Sequence, residues 1–263
     1  FNEHSPGSFQ LGFGGDTSNC AIAAARQGAR VGYLSALGRD VFGDRLLALW
    51  AQENVDAQHV LRDDVHSTAH YFVTHGDDGH VFTYHRADSA ASHLRADQLP
   101  QAYLRATKFL QVSAISQAIS EPMRLSVLRA MQLARAGGAR VAYDTNLRLQ
   151  LWPLDCARQV IHDALAHCDI ALPGYADAVA LTGLNDADDI VDFYLALGPS
   201  IVALSLGADG VLVAHGAQRE HIAGHTVAAL DATAAGDTFD GAFLSQLAVG
   251  NDVFSAARHA NAA

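Results

Sequence analysis

The stretch Leu230-Asp-Ala-Thr-Ala-Ala-Gly-Asp-Thr-Phe-Asp-Gly241 decides the fold of this chain. An apolar run, Thr226–Leu230, enters it, small residues turn the chain, and an amphipathic run, Phe239–Leu247, leaves it. This order predicts a strand, a tight turn and a helix. Small side chains let the backbone N–H groups of residues 234–237 point at one spot. The unpaired donors and the positive dipole end of a helix N-terminus favour an anion there.

Asp237 lies at the mouth of this turn, where a carboxylate beside an anion site suits the transfer of a phosphoryl group to a hydroxyl. The small residues Ala234, Ala235 and Gly236 would present the N–H groups that stabilise the charge of the transferred group. Asp237 would accept the proton of the acceptor oxygen. These four residues are the predicted catalytic residues. The alternative is a structural helix that Asp237 only caps.

The composition bounds the class of protein. The chain has 263 residues, half of them hydrophobic, which fits one large α/β domain with a substantial core. A net charge of −11 argues against a nucleic-acid or anionic-membrane partner. It is compatible with ATP, because local backbone donors, a few cations and Mg²⁺ decide nucleotide binding. With no apolar run as long as a membrane span and no signal peptide at the start, we expect a cytoplasmic protein.

Cysteines and histidines give no signal of a metal site. Cys20, Cys156 and Cys168 lack CxxC spacing and are predicted to be reduced core thiols. Of 14 histidines, His221 and His225 have helical i, i+4 spacing, but their region is typical of strand and loop.

Strands and helices alternate along most of the chain. Strands are predicted at 31–37, 109–112, 141–144, 170–172, 201–204 and 211–214, and helices at 17–27, 42–50, 122–136, 156–166, 176–181, 187–197 and 253–263. This alternation predicts a parallel sheet covered on both faces, with ligands at the carboxyl ends of its strands. Residues 68–74 and 80–85 favour a hairpin around Gly76-Asp-Asp-Gly79. No apolar strand is expected in residues 1–7.

Gly12-x-Gly14-Gly15 precedes the first predicted helix. A dinucleotide fingerprint would need glycine at position 17, which is Thr, and the chain contains no G-x-x-x-x-G-K-[ST] motif. A better use of Gly14, Gly15, Asp16 and Asn19 is a substrate cradle, in which the backbone approaches a polyol and the two side chains bond its hydroxyls. The alternative is a turn followed by an Asx helix cap.

Four motifs together resemble the ribokinase-like (PfkB) carbohydrate kinases. They are Gly14-Gly15-Asp16-x-x-Asn19, Gly38-Arg39-Asp40-x-Phe42-Gly43, Leu206-Gly207-Ala208-Asp209-Gly210 and Asp231-x-Thr233-x-Ala235-Gly236-Asp237. The resemblance runs from about residue 12 to the end. It implies a single ribokinase-like α/β domain over residues 1–263, with a mostly parallel sheet flanked by helices on both faces. It also implies a small β lid from about residues 5–14 and 66–88, and a chain truncated at both ends relative to the family.

Within the family, three stretches are most similar to 2-keto-3-deoxygluconate kinases. They are Gly14-Gly15-Asp16-Thr17-x-Asn19, Tyr84-x-Arg86-x-x-Ser89-Ala90-Ala91-Ser92 and Asp144-x-Asn146-x-Arg148-x-x-Leu151-Trp152. The substrate-binding residues that follow are Gly14, Gly15, Asp16, Asn19, Tyr71, Tyr84, Arg86, Asn146, Arg148 and Asp237. Two guanidinium groups suit a carboxylate that neutral sugars lack. The alternatives are solvated surface arginines and a Tyr71 that only packs in the lid.

The resemblance implies ATP and Mg²⁺ as cofactors. The nucleotide-binding residues would be Ser205, Gly207, Gly210, Gly236 and Asn261. The chain departs from the family at Ala234, where Gly-Ala-Gly-Asp is usual, and in residues 174–177, where Asn-x-x-Glu becomes Gly-x-x-Asp. Asp177 would then act on the metal only indirectly. If position 234 needs a positive φ, its β-carbon costs about 1–2 kcal/mol.

We therefore expect ATP-dependent phosphorylation of the terminal hydroxyl of 2-keto-3-deoxygluconate, giving the 6-phospho product. Because lids of this family often pair between subunits, the resemblance also implies a homodimer. The alternatives are a fructokinase or ribokinase, or a catalytically silent ligand-binding member of the fold.

Overall fold

Strands that alternate with helices form the centre of the molecule. The computed structural model describes residues 1–5, 7–76, 79–227 and 232–263. The strands are β1 (Asn2–Ser5), β2 (Ser8–Gln10), β3 (Val31–Gly32), β4 (Ala36–Gly38), β5 (Val55–Asp56), β6 (Leu61–Asp63), β7 (His70–Gly76), β8 (Gly79–His85), β9 (Phe109–Ser113), β10 (Arg140–Asp144), β11 (Ile170–Leu172), β12 (Ile201–Ser205), β13 (Val211–His215) and β14 (Gln218–Ile222). The helices are α1 (Asp16–Arg26), α2 (Val41–Gln52), α3 (Gln101–Ala106), α4 (Ala114–Ala118), α5 (Glu121–Ala136), α6 (Leu154–Leu165), α7 (Tyr175–Thr182), α8 (Ala187–Leu197), α9 (Ala235–Ala248) and α10 (Val253–Asn261).

The main sheet has the order β14-β13-β12-β11-β10-β9. Strands β9 to β12 are parallel, and β13 and β14 are antiparallel. Successive residues of β10 point to opposite faces. Val141 and Tyr143 pack in the core with α5 to α8, whereas Ala142 packs in a second core with α9 and α10. The predicted α/β fold, with helices on both faces of a mostly parallel sheet, is confirmed.

A second sheet, which we call the β lid, has the order β2-β1-β7-β8. The described residues at the chain start hold no apolar strand, as expected, but the polar residues Asn2–Ser5 form β1. Asn2 pairs in parallel with Val73, and Phe1 stacks on Phe72 at 4.9 Å between ring centroids. The residues of β1 are polar, so no local apolar pattern marks the strand. It forms through pairing with β7, which is distant in the chain. The hairpin of β7 and β8 is present, while Asp77 and Asp78 of its predicted turn, and Pro6 of the lid, lie outside the described residues.

Two other expectations are wrong, and a third lies partly outside the described residues. The single strand predicted at 31–37 is two strands, because β3 pairs with β5 and β4 with β6. Of the strand predicted at 226–230, the first two residues are not in a strand and 228–230 lie outside the described residues, as does Asp231 of the motif. All three cysteines are free, but Cys156 is exposed and is therefore no core thiol. No helix in the described ranges is long and apolar enough to cross a membrane.

Close packing of α1 against α9 positions the site. A β-carbon at Gly241 of α9 would lie 2.8 Å from the backbone nitrogen of Ala24 and would overlap the Cys20 carbonyl oxygen. Only glycine allows this approach, which brings the first turns of the two helices together.

Candidate active site

The first turn of α9 forms one wall of the site. Ala234 adopts a left-handed conformation, with φ 65° and ψ 12°, and the helix begins at the next residue. The positive φ considered for this position is therefore present. The N–H of Ala235 donates to the Ala232 carbonyl at 3.2 Å, so this predicted donor is engaged within the turn. The N–H groups of Gly236 and Asp237 lie in the first helical turn, where the helix itself offers no acceptor.

Asp237 is held by a side chain from the other end of the sequence. The amide of Asn19 donates to Asp237 Oδ2 at 2.8 Å. Burial raises the pKa of Asp237 to about 6, and the nearby charge of Asp16 adds to this effect. The Asn19 bond and Arg148 act in the opposite direction, because they stabilise the carboxylate. Asp237 can therefore be ionised near neutral pH and still accept a proton, as a general base must.

Asp16 opens α1 directly after Gly15, whose φ is 120°. Its Oδ2 is buried and has no hydrogen-bond partner among the described residues. A buried carboxylate oxygen without a partner is costly in a protein on its own. A hydroxyl of a bound substrate would supply the missing bond, which fits the predicted cradle.

The β lid supplies the opposite wall. Tyr71 on β7 and Tyr84 on β8 face each other with ring centroids 5.7 Å apart. The guanidinium of Arg86 stacks over the Tyr84 ring at 4.1 Å from its centroid. The Tyr71 hydroxyl lies against Gly14, where a β-carbon would overlap it. The lid hairpin and the loop before α1 are thus in contact.

Arg86 and Arg148 converge on this space. Burial lowers the pKa of Arg86, and Arg148 is among the charges that lower it further. Asp16 opposes this shift, so the three charged groups lie within electrostatic range of each other. None of the ion pairs between described residues uses either arginine. A carboxylate ligand would neutralise them.

The loop after β10 carries Asn146 and Arg148. The backbone N–H of Asn146 donates to Asp144 Oδ1 at 3.0 Å, and that of Leu147 donates to Asp177 Oδ2 at 2.8 Å. Asp177 therefore shapes the loop. Its carboxylate is the hard oxygen donor that Mg²⁺ prefers, so the residue fits an indirect metal role. That role stays a prediction.

The predicted nucleotide residues lie past the end of β12. Gly207 has a φ of 63°, and a β-carbon there would meet no atom within 4 Å, so the space beside it is open. Gly210 differs, because a β-carbon there would lie 2.5 Å from the nitrogen of Gly224. Ser205 ends β12, and the Asn261 amide donates to the Ala223 carbonyl at 2.8 Å. Gly210 and Asn261 therefore contact the backbone after β14 rather than open space.

Two carboxyl groups near the site were not predicted as site residues. Asp240, one helical turn after Asp237, is only 5 % exposed. Asp144 ends β10. Burial raises the pKa of both groups well above the ordinary value, and each also lies near the charges of Asp16 and Asp237. The signal available in the sequence was a charged residue three positions after Asp237 in a run that is otherwise apolar.

The chain is similar to known carbohydrate kinases. The family model described as pfkB family carbohydrate kinase matches residues 2–263. The chain is 33 % identical to the 2-dehydro-3-deoxygluconokinase of Bacillus subtilis (strain 168), over 98 % of this chain and 81 % of the relative. It is 32 % identical to the fructokinase of Salmonella typhimurium, over 89 % and 76 % of the two chains.

A solved structure shows the same fold. The fructokinase of Vibrio cholerae O395, in its fructose, ADP and calcium ion bound form, has a TM-score of 0.88 and 27 % identity. The match covers 99 % of this chain and 86 % of that one. Since the family model spans nearly the whole chain and the relatives are kinases, the chain belongs to the pfkB family of carbohydrate kinases and is a sugar kinase.

Proposed function

We propose that this sugar kinase uses ATP to phosphorylate the terminal hydroxyl of a sugar acid, 2-keto-3-deoxygluconate, giving 2-keto-3-deoxy-6-phosphogluconate. The observation that carries this proposal is the convergence of Arg86 and Arg148, neither ion-paired within the described chain, on the space beside Asp237. Two guanidinium groups suit a carboxylate, which a neutral sugar does not have. The similarity to a 2-dehydro-3-deoxygluconokinase supports the same substrate.

The rest of the sugar would lie between the lid and the first turn of α1. The buried Oδ2 of Asp16 would accept a bond from one substrate hydroxyl. Asn19 and Asn146 would contribute amide groups, and the hydroxyls of Tyr71 and Tyr84 would close the site from the lid. Because Gly14 and Gly15 have no side chains, the sugar could approach their backbone closely.

Asp237 would act as the base. In the family reaction ATP supplies the phosphoryl group. The carboxylate of Asp237, oriented by Asn19, would take the proton of the acceptor hydroxyl. The N–H groups of Gly236 and Asp237 would stabilise charge on the transferred group at the start of α9. Because such a transition state is loose, alignment and charge neutralisation matter more than the strength of the base.

ATP would bind along the loop after β12. The open space beside Gly207 would admit phosphates, with Ser205 and Gly236 on either side, while Gly210 and Asn261 would hold the surrounding backbone. The ADP-bound and calcium-bound V. cholerae fructokinase supports nucleotide and metal use in this fold. Mg²⁺ would be organised indirectly by Asp177.

We also propose a homodimer formed through the β lid. Phe9, Phe13 and Val81 lie in or beside the lid and are 39 %, 48 % and 51 % exposed. Large exposed apolar side chains on and beside one sheet favour an interaction surface there. A second lid would cover them.

Neutral sugars are the competing substrates, because fructokinases are about as similar to this chain as the sugar-acid kinase. The test is the kcat/KM for 2-keto-3-deoxygluconate and for fructose, from ADP release, in Arg86→Ala and Arg148→Ala. Loss of one charge-assisted contact costs about 1.5–3 kcal/mol, so each variant should lose roughly tenfold to a hundredfold with the acid. Activity on fructose should change far less.

The matched control is Arg95→Ala, which removes an exposed arginine that pairs with Asp97 outside the site. It should leave both substrates unaffected. If Arg86→Ala and Arg148→Ala weaken fructose and the sugar acid equally, the proposed carboxylate contact is wrong. A neutral-sugar kinase would then be the better account.

A further inference from the structure

Two imidazoles and one carboxylate, side-chain types that transition metals prefer, lie close together at the base of the β lid. His66, Asp88 and His93 place one ligand atom each within 4.8 Å of the others. His66 lies just before β7, Asp88 just after β8, and His93 ends a short 3₁₀ helix, Ala90–His93, in the body of the protein. Neither the sugar-binding nor the nucleotide-binding residues include this cluster.

The orientation of His66 is fixed from behind. Its Nδ1 lies 3.0 Å from Asp63 Oδ2. Asp63 is itself held, because its Oδ1 accepts the backbone N–H groups of Val65 at 2.7 Å and His66 at 2.9 Å. The bond to this carboxylate places the proton on Nδ1 and leaves the lone pair on Nε2. A carboxylate behind a histidine in this way is typical of metal ligands.

The free Nε2 of His66 faces the other two ligands. It lies 3.9 Å from Asp88 Oδ1, and Nε2 of His93 lies 2.6 Å from the same oxygen. The two imidazole rings stack with centroids 3.7 Å apart and an angle of 17° between planes. Two imidazole nitrogens and one carboxylate oxygen thus lie within 4.8 Å of one another, and rotation of the part-exposed His93 side chain out of the stack would turn its nitrogen toward an ion shared by all three.

We infer that His66, Asp88 and His93 form a binding site for a transition-metal ion of the zinc class. Two imidazoles with one carboxylate, and water as the fourth ligand, are a donor set that Zn²⁺ accepts and that Mg²⁺, which prefers oxygen, does not. The ion would take the place of the hydrogen bond between Asp88 and His93. Because its ligands precede β7, follow β8 and lie in the body, it would tie both ends of the lid hairpin to the domain.

The test is calorimetric titration of Zn²⁺ into the untagged full chain without nucleotide, with the absorption of bound Co²⁺ as a second readout of tetrahedral geometry. One equivalent should bind to the wild type. His66→Gln and His93→Gln should each weaken it by at least an order of magnitude. Asp63→Asn, which touches no metal, should weaken it about tenfold to a hundredfold.

Two controls exclude other ligands. His215→Gln removes an exposed histidine at the far end of β13, and Cys156→Ser removes the exposed thiol. Both should bind Zn²⁺ as the wild type does. Melting temperatures without metal establish that each variant is folded, and Zn²⁺ should raise the melting temperature of the wild type and of both controls only. Absence of binding to the wild type at 100 μM Zn²⁺, or equal binding by His93→Gln and His215→Gln, would overturn the inference.

Discussion

Asn19 and Asp237 lie 218 positions apart in the chain, yet their side chains meet at 2.8 Å. The amide stabilises the charged form of a carboxylate whose burial favours the neutral form. These opposing effects leave the pKa of Asp237 at about 6, low enough for ionisation at neutral pH. The proposed proton transfer therefore depends on one base, Asp237, one orienting amide, Asn19, and the turn that precedes α9.

The Asn19 contact predicts a pH shift. Below a pH of about 6 the wild-type kcat/KM should fall about tenfold per pH unit, because Asp237 must be ionised to accept a proton. Asn19→Ala removes a donor to the carboxylate, so the pKa of Asp237 rises and the acid limb moves to higher pH. Asp237→Asn should lower kcat by about 10²–10⁴. Ionisation of the substrates affects every variant equally. Coincident pH profiles of kcat/KM for the wild type and Asn19→Ala would therefore show that Asn19 does not affect the pKa of Asp237.

Ala234 predicts a change in stability. An L-residue in the left-handed region costs about 1–2 kcal/mol, whereas glycine loses about 0.5–1 kcal/mol through the entropy of the unfolded chain. Ala234→Gly should therefore raise the free energy of unfolding by up to about 1 kcal/mol in urea. If the β-carbon also displaces N–H groups of the turn, kcat rises while sugar KM stays constant.

The same change one residue later is the control for Ala234. Ala235 is the first residue of α9, so Ala235→Gly should destabilise the protein by about 1 kcal/mol. A loss of stability of that size in Ala234→Gly as well would mean that its left-handed conformation stores no strain.

Two close contacts between elements position the walls of the candidate active site. Gly241 lets α9 approach α1, and Gly14 lets Tyr71 of the lid approach the loop before α1. At both positions a side chain would occupy space that another element already fills, so only glycine fits. The positions of the lid and of the first turn of α9 therefore depend on close contacts at glycine, which should be sensitive to a single added methyl group.

The contact between Gly14 and Tyr71 predicts a rescue. Gly14→Ala would overlap the Tyr71 hydroxyl and move the lid, lowering kcat/KM for the sugar on the order of tenfold to a hundredfold. Removing that hydroxyl leaves a ring carbon 3.1 Å from the added methyl, so Gly14→Ala with Tyr71→Phe should recover part of the loss. Steady-state kinetics of the four proteins give the coupling, expected to be about 1 kcal/mol or more. Strictly additive losses would exclude the contact.

Across the whole molecule, carboxyl groups from α1, β10 and α9 gather at the carboxyl edge of the sheet, in a chain with net charge −11. Asp240 is the most deeply placed of them, at 5 % exposure. Its raised pKa means that the folded state holds a proton that the unfolded state releases as pH rises. Folding stability must then decrease with pH above the ordinary aspartate pKa.

Asp240→Asn should reduce this dependence, and the raised pKa of Asp144 should account for the part that remains. At pH 8 the variant should unfold with a higher free energy than the wild type, by on the order of 1 kcal/mol for each unit of pKa displacement, and at pH 4 the difference should nearly vanish. Urea unfolding at both pH values measures it. Asp155→Asn, at a carboxyl with a 95 % exposed side chain, should follow the wild type at both. If Asp240→Asn also shows the wild-type slope, Asp240 is not held protonated.

Local patterns were enough for much of this molecule. The alternating runs predicted β9 to β12 and the helices α5 to α8, because each apolar face is encoded within a few residues. The turn proposed to be catalytic was also recognisable, since Gly236 and Asp237 are adjacent. The pairing of β1, the burial of Asp240 and the partnerless oxygen of Asp16 depend on contacts between distant segments, and no local pattern encodes them. Ala235 was expected to donate to a ligand, but its N–H is engaged by Ala232.

The central claim is that this enzyme prefers a sugar acid to a neutral sugar. The most direct measurement is ADP release by the wild-type enzyme with Mg²⁺ and ATP, comparing kcat/KM for 2-keto-3-deoxygluconate with kcat/KM for fructose and ribose. We expect a preference for the acid of roughly a hundredfold or more, since two charge-assisted contacts each contribute about 1.5–3 kcal/mol. Equal or higher kcat/KM with fructose or ribose would contradict it.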